Sequence, residues 1–250
     1  MKQEIHTIPV AEAFLSGDEC PFCYLRKQAE QRAIRYFAGA GASYMEPDVR
    51  AITNKAGFCG QHMKQLYDYG NALGCALMLQ SHSEDLLLQL REGIANHGTP
   101  EKKGLFSKKK GQEPAPYWNA LRQRVTTCAI CDRVEDNMQR QYRVFFSLLK
   151  EPEFRQMVEN SKGFCLEHFA RLMEEAQAHL PANQAQWFYA TVQDVMQTQL
   201  KRVKADLDWL IAKYDYRNTE APWKQSKDAL QRTMQKLSGI YPADPPYRKE

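Results

Sequence analysis

No run of apolar residues in this 250-residue chain approaches the roughly 20 needed to cross a bilayer as a helix. The opening residues, Met1-Lys2-Gln3-Glu4-Ile5-His6, lack the apolar stretch of a secretory signal. Strand signals are nearly absent and glycine is sparse. A broad excess of one charge is missing too, since 34 Lys and Arg stand against 30 Asp and Glu, a net charge of +4. These absences argue against a membrane span, export, a β fold and a general polyanion-binding face. They leave a cytoplasmic, all-α protein as the expectation. The long segments are rich in Ala, Leu, Gln, Glu, Lys and Arg, which favour helix.

Cysteine is the residue that is present in a pattern. Six of the seven cysteines and two of the six histidines follow one motif written twice. Cys20-Pro-Phe-Cys23 is answered later by Gly57-Phe58-Cys59-Gly60-Gln61-His62. Cys128-Ala-Ile-Cys131 is answered by Gly163-Phe164-Cys165-Leu166-Glu167-His168. A C-x2-C pair and a C-x2-H pair supply three thiolates and an imidazole, a closed tetrahedral zinc set. In a chain without an export signal, spaced cysteines more often hold metal than form disulfides.

The stretches between the ligands match as well. Gln31-Arg32-Ala33-Ile34-Arg35-Tyr36-Phe37 and Gln139-Arg140-Gln141-Tyr142-Arg143-Val144-Phe145 both read Q-R-x-x-R-x-F. Glu46-Pro47-Asp48-Val49-Arg50 and Glu151-Pro152-Glu153-Phe154-Arg155 both read E-P-x-x-R. We read an internal duplication and expect a pseudo-two-fold helical bundle. Zinc-binding repeats are expected over 10–97 and 117–215. A connector rich in Pro, Gly and Lys is expected over 98–116, and a terminal helix and extended tail over 216–250.

In each repeat the pattern predicts a helix from the cysteine pair to about Ala38 or Leu149. A short helix should follow, opened by proline with an acid next to it. A break at Gly57 or Gly163 and a third helix near Cys59 or Cys165 should complete the unit. A further long helix is expected in each half. In the second half it carries an apolar stripe of Phe188, Val192, Val195, Met196, Leu200, Val203, Leu207, Leu210, Ile211 and Tyr214. In the first it carries Leu73, Leu77, Leu87, Leu90 and Ile94. Residues 220–238 read as one last amphipathic helix.

Two structural Zn2+ ions are the expected cofactors. Read within each repeat, one would bind Cys20, Cys23, Cys59 and His62, and the other Cys128, Cys131, Cys165 and His168. Each ion would then tie the start of the first helix to the start of the third. Structural zinc contributes on the order of 10–16 kcal/mol in apparent binding free energy, well above the net stability of a small domain. Three thiolates, a neutral imidazole and Zn2+ sum to one negative charge. Arg26, Lys27 and Lys64 lie near the first set in sequence, and Arg133 and Arg171 near the second. An iron–sulfur cluster with one histidine is the alternative metal. A thioredoxin-like use of either C-x2-C lacks its βαβ setting.

Among the other residues, Cys75 reads as a small core residue, with a reactive thiol or a Cys75–His82 pair as the alternatives. The repeated Arg32 and Arg140, Arg35 and Arg143, and Arg50 and Arg155 read as partners of Glu46 and Glu151 or of helix C-termini, with a groove for an anionic ligand or partner as the alternative. Trp118, Trp187, Trp209 and Trp223 read as packing anchors.

The duplicated C-x2-C…G-F-C-x2-H motifs, each with E-P-x-x-R before the second ligand pair, resemble a bacterial family known as a domain of unknown function, common in Firmicutes and their relatives. The likeness covers about residues 10–215. It implies a cytoplasmic bacterial zinc protein with Cys20, Cys23, Cys59, His62, Cys128, Cys131, Cys165 and His168 as ligands, and it implies no activity.

The functional expectation is a non-enzymatic zinc protein that binds or scaffolds a protein partner. Four good donors leave no open position for catalysis. One alternative is a nucleic-acid-associated factor using Lys102, Lys103, Lys108, Lys109 and Lys110. The other is a thiol-based redox or zinc sensor.

Overall fold

The structure, a computed structural model, describes residues 5–97 and 117–242. The expected connector at 98–116 with its five lysines, and the tail from Ala243, lie outside the described residues.

Eleven α-helices and no strand occur among the described residues, so the fold is all-α. In chain order they are α1 (Ile8–Leu15), α2 (Pro21–Ala38), α3 (Pro47–Ala56), α4 (Gly60–Tyr69), α5 (Ala72–His97), α6 (Tyr117–Arg124), α7 (Ala129–Leu148), α8 (Pro152–Glu159), α9 (Leu166–His179), α10 (Ala182–Ala212) and α11 (Ala229–Ser238). No helix among them is long and apolar enough to cross a membrane. The helices that follow the cysteine pairs are α2 and α7. Pro47 and Pro152 open α3 and α8, each with an acid in the first turn. Proline suits that position because its missing N–H has no partner there.

The chain forms two compact units. One holds the described residues of Met1–Ala29 and Asp136–Pro245, the other those of Glu30–Glu135. The units do not follow the expected division into 10–97 and 117–215, because both helices that open a repeat are shared. Residues 21–29 of α2 belong to the first unit and 30–38 to the second. Residues 129–135 of α7 belong to the second and 136–148 to the first.

The first unit is built on rings. Phe22 stacks on Tyr142 at 4.5 Å, and Phe145 meets Phe14, Phe22, Phe154 and Phe188. Around this core α1 packs on α8, and α10 packs on α8, α9 and α11. The α10 stripe is buried at Phe188, Val192, Val195, Met196 and Val203, whereas Ile211 and Tyr214 are exposed.

The second unit is thinner. Its largest fully buried side chains are Ile34, Met78 and Ile130, supported by Phe37, Val49, Phe58 and Leu66. The apolar stripe expected on the first-half helix is not core throughout, because Leu73, Leu87 and Ile94 are at least half exposed. The reason is length. α5 has 26 residues, about 39 Å, and its main partner α3 has 10, about 15 Å.

The last helix is also shorter than expected. Lys213 Nζ donates to the carbonyls of Asn218, Thr219 and Ala221 at 2.6–2.7 Å. These bonds accompany a turn-rich segment through residue 228, so α11 starts only at Ala229. The tryptophans are not buried anchors: Trp118 and Trp223 are exposed, and Trp187 and Trp209 are half-buried. The sequence pattern did not mark α1 or α6.

Candidate metal centres

Both G-F-C loops present their cysteine and histidine in the same way. Gly57 (φ +60°) and Gly163 (φ +76°) take left-handed backbone that breaks the chain after α3 and α8. At Gly57 no side chain fits in any case, since a Cβ would stand 2.8 Å from the His82 ring. The chain then extends through Cys59 or Cys165, each the N-cap of the following helix. His62 and His168 fall in the first turn of that helix. The C-x2-C pairs sit at helix starts too, Cys23 in the first turn of α2 and Cys131 in that of α7. Helix N-termini favour the negative charge that thiolates bring.

The eight residues gather into two quartets, but not within repeats. Cys20 and Cys23 meet Cys165 and His168, and Cys128 and Cys131 meet Cys59 and His62. The pairing expected from sequence, Cys20, Cys23, Cys59 and His62 against Cys128, Cys131, Cys165 and His168, is therefore corrected. Helix length explains the exchange. α2 is about 27 Å long and α3 only about 15 Å, too short to bring the chain back to Cys20. His62 accordingly arrives beside Glu30, about 15 Å along α2 from Cys20. In the second repeat α7 runs about 30 Å and α8 about 12 Å. Phe22, stacked on Tyr142, also lies 5.8 Å from the His168 ring. Each C-x2-H pair meets the C-x2-C of the other motif copy.

Hydrogen bonds to backbone carbonyls, most of them from side chains, lock the exchange. In the second unit Ala129 N–H donates to Gly57 O at 2.9 Å and Thr127 Oγ1 to Ala56 O at 2.7 Å. Arg124 caps the end of α3 through the carbonyls of Asn54 and Lys55. In the first unit Lys162 Nζ donates to Gly17 O at 2.5 Å, and Lys236 Nζ bridges the carbonyls of Glu19 and Lys162.

The donor atoms suit a tetrahedral ion. Within each quartet they all lie within 4.8 Å of one another. In the first, Cys20, Cys23 and Cys165 Sγ stand 3.4, 3.4 and 3.1 Å from His168 Nδ1. In the second, Cys59, Cys128 and Cys131 Sγ stand 3.3, 3.2 and 3.3 Å from His62 Nδ1. The Cys23–Cys165 and Cys59–Cys131 sulfurs are 3.5 and 3.9 Å apart. Metal bonds of about 2.3 Å to sulfur and about 2.0 Å to nitrogen place tetrahedral donors ~3.5–3.8 Å apart. These residues fit that group.

In each quartet the neighbouring donors oppose burial and favour a protonated imidazole beside one thiolate. Burial pushes the His62 imidazole down, but Cys128 and Glu30 against it outweigh burial and hold it at about 10. Burial raises the Cys128 thiol, and His62 more than reverses that, to about 6. His168 is held at about 10 by Cys165 and Cys20 against the same burial. Cys165 is held far below the ordinary thiol value by Cys20 and Cys23, and Cys23 is pushed up by Cys165 and Cys20. One divalent cation would supply the positive charge these protons supply.

The surroundings of the two quartets differ. In the first, Cys20 and Cys165 are fully buried and His168 is 2% exposed. The end of α11 packs over it, so that a Cβ on Gly239 would lie 3.6 Å from Cys165 Sγ and 3.7 Å from Cys23 Sγ. Fully buried Lys236 stands 3.4 Å from the Glu19 carboxylate, which Arg202 also holds at 2.5 Å. In the second quartet Cys131 is exposed and Cys59 half-buried. There His62 Nε2 meets Glu30 Oε1 at 3.0 Å, a carboxylate that orients the ring and raises its basicity as a ligand. Among the described residues no carboxylate stands at His168 Nε2. The repeat spacing puts Met138 where Glu30 would be, and Met138 is buried.

Several expected neighbours have other partners. Arg133 lies over Tyr36 and Arg171 over Tyr142, at 3.7 and 4.5 Å. Arg26 faces Glu167 at 3.9 Å, and Lys64 pairs with Asp68. Arg155 donates to Leu149 O at the end of α7, a helix C-terminus as expected, whereas Arg50 donates to Ser81. Cys75 is half-buried against Leu66 O, and His82 contacts Asn54 O, so those two do not pair. Glu30 and Lys236 are the residues sequence reasoning missed. A carboxylate at Glu30 with no match at Met138 was the visible signal for the first.

The helical fold and two Cys3His quartets define an all-α protein with two candidate metal centres. The chain belongs to a family of unknown function, DUF6062, whose model matches residues 1–244. No curated protein and no solved structure matches it.

Proposed function

We propose that this is a non-enzymatic zinc protein whose two ions hold the helix starts together and whose output is the binding of a protein partner. The observation that carries the zinc reading is the pair of Cys3His quartets with donors at tetrahedral spacing. Thiolate-rich sets with four protein donors select soft divalent ions and leave no position for substrate. The partner reading is supported by α11. Its inner face buries Ala229, Arg232, Gln235 and Lys236, while Leu230, Met234 and Leu237 stand exposed at i, i+4 and i+7. That spacing is the anchor pattern of a helix docking into a groove.

Metal content tests the first half of the reading. Protein purified without added metal should carry two zinc ions per chain, and iron or empty thiols would overturn it. For the second half, Met234→Glu should keep both ions and the helical spectrum while losing a captured partner. Unchanged capture would move the contact away from α11.

A further inference from the structure

We propose that the quartet Cys59, His62, Cys128 and Cys131 is a thiol redox centre that responds to hydroperoxides, while the quartet Cys20, Cys23, Cys165 and His168 is inert. This rests on the zinc reading above and assigns different roles to its two sites.

Three observations carry it. Cys131 is exposed at the start of α7, whereas every thiol of the other quartet is buried. Cys59 Sγ, half-buried, stands 3.9 Å from Cys131 Sγ, close enough to close a disulfide with a small shift. Glu30 against His62 adds negative charge through the imidazole and leaves the bound thiolates more electron-rich. The inert quartet instead has an ammonium, Lys236, buried beside it.

The chemistry balances with the hydroperoxide as oxidant. The Cys131 thiolate attacks the terminal peroxide oxygen, an S–O bond forms, the O–O bond breaks, and an alkoxide leaves to take a proton from water. Cys131 is then a sulfenic acid. The Cys59 thiolate attacks its sulfur, the S–S bond forms, the S–O bond breaks, and hydroxide leaves. Two thiolates have lost two electrons and the peroxide has gained them. Only Cys128 and His62 remain as donors, too few to hold the ion. A dithiol reductant with added zinc restores the quartet.

The test uses the intact, zinc-loaded chain. Hydrogen peroxide is added in small steps while a chromophoric chelator reports zinc release, and cysteines are mapped by alkylation and mass spectrometry. The expected result is release of one zinc, a Cys59–Cys131 disulfide, and loss of Cys131 labelling about tenfold faster or more than that of Cys20 or Cys165. Dithiothreitol and zinc should reverse all three. Loss of both ions at one rate, or first oxidation at Cys20, Cys23 or Cys165, overturns the inference and leaves the zinc reading standing. Starting protein without two zinc ions removes both.

Discussion

The same four-donor set is embedded in two different surroundings. In the first unit the quartet sits under α11 among stacked rings, and its sulfurs are sealed. In the second it is flanked by a thinner core, and a thiol and a carboxylate of its surroundings reach solvent. The difference teaches that identical ligands do not make identical sites. Where the apolar core is large, an ion would add to a unit that already buries much. Where the core is small, an ion held by the quartet would join the hydrogen bonds of Ala129, Thr127 and Arg124 in tying the end of α3 and the start of α4 to the start of α7.

The largest effect should come from removing metal. A strong chelator should abolish amide protection across α3, α4, α5 and α6 while protection around Phe145, Phe154 and Phe188 persists longer, as hydrogen exchange followed by mass spectrometry would read. A site contribution of about 10 kcal/mol or more exceeds what the second unit's core can replace. Simultaneous collapse of both units would break the comparison.

Next in size is Lys236→Met. It removes the ammonium that bridges the Glu19 and Lys162 carbonyls and leaves the buried Glu19 with fewer partners. A loss of about 3 kcal/mol is expected in denaturant unfolding of the first unit. The zinc of the second quartet should stay, and its loss would show that the two sites are coupled.

A smaller effect, confined to the other site, is expected for Glu30→Gln. The amide can still meet His62 but no longer carries the charge that strengthens it. Zinc affinity at the second quartet should fall about tenfold in chelator competition, with the first unchanged. An equal loss at both would contradict the assignment of Glu30 to one site.

Much of this was legible in the sequence, and the limits have physical causes. The eight donors, the prolines opening α3 and α8, and the breaks at Gly57 and Gly163 are local chemistry, readable within a few residues. The pairing was not local. Either C-x2-C satisfies either C-x2-H, so spacing alone permits both arrangements. The deciding quantity, the mismatch between an 18-residue α2 and a 10-residue α3, was present in the sequence as helix length rather than as motif. Lys236 and Glu19 are far apart in the chain, and nothing in either residue announces the other. The half-exposed α5 shows a further limit, since apolar spacing reports what a helix can bury and not what lies against it.

The exchange of ligands between repeats is tested most directly by the zinc content of two double variants. Cys20→Ser with Cys165→Ser damages one quartet, so that chain should retain one zinc. Cys20→Ser with Cys59→Ser damages both and should retain none. The reverse result, one zinc in the second variant and none in the first, would restore pairing within repeats and contradict the structure.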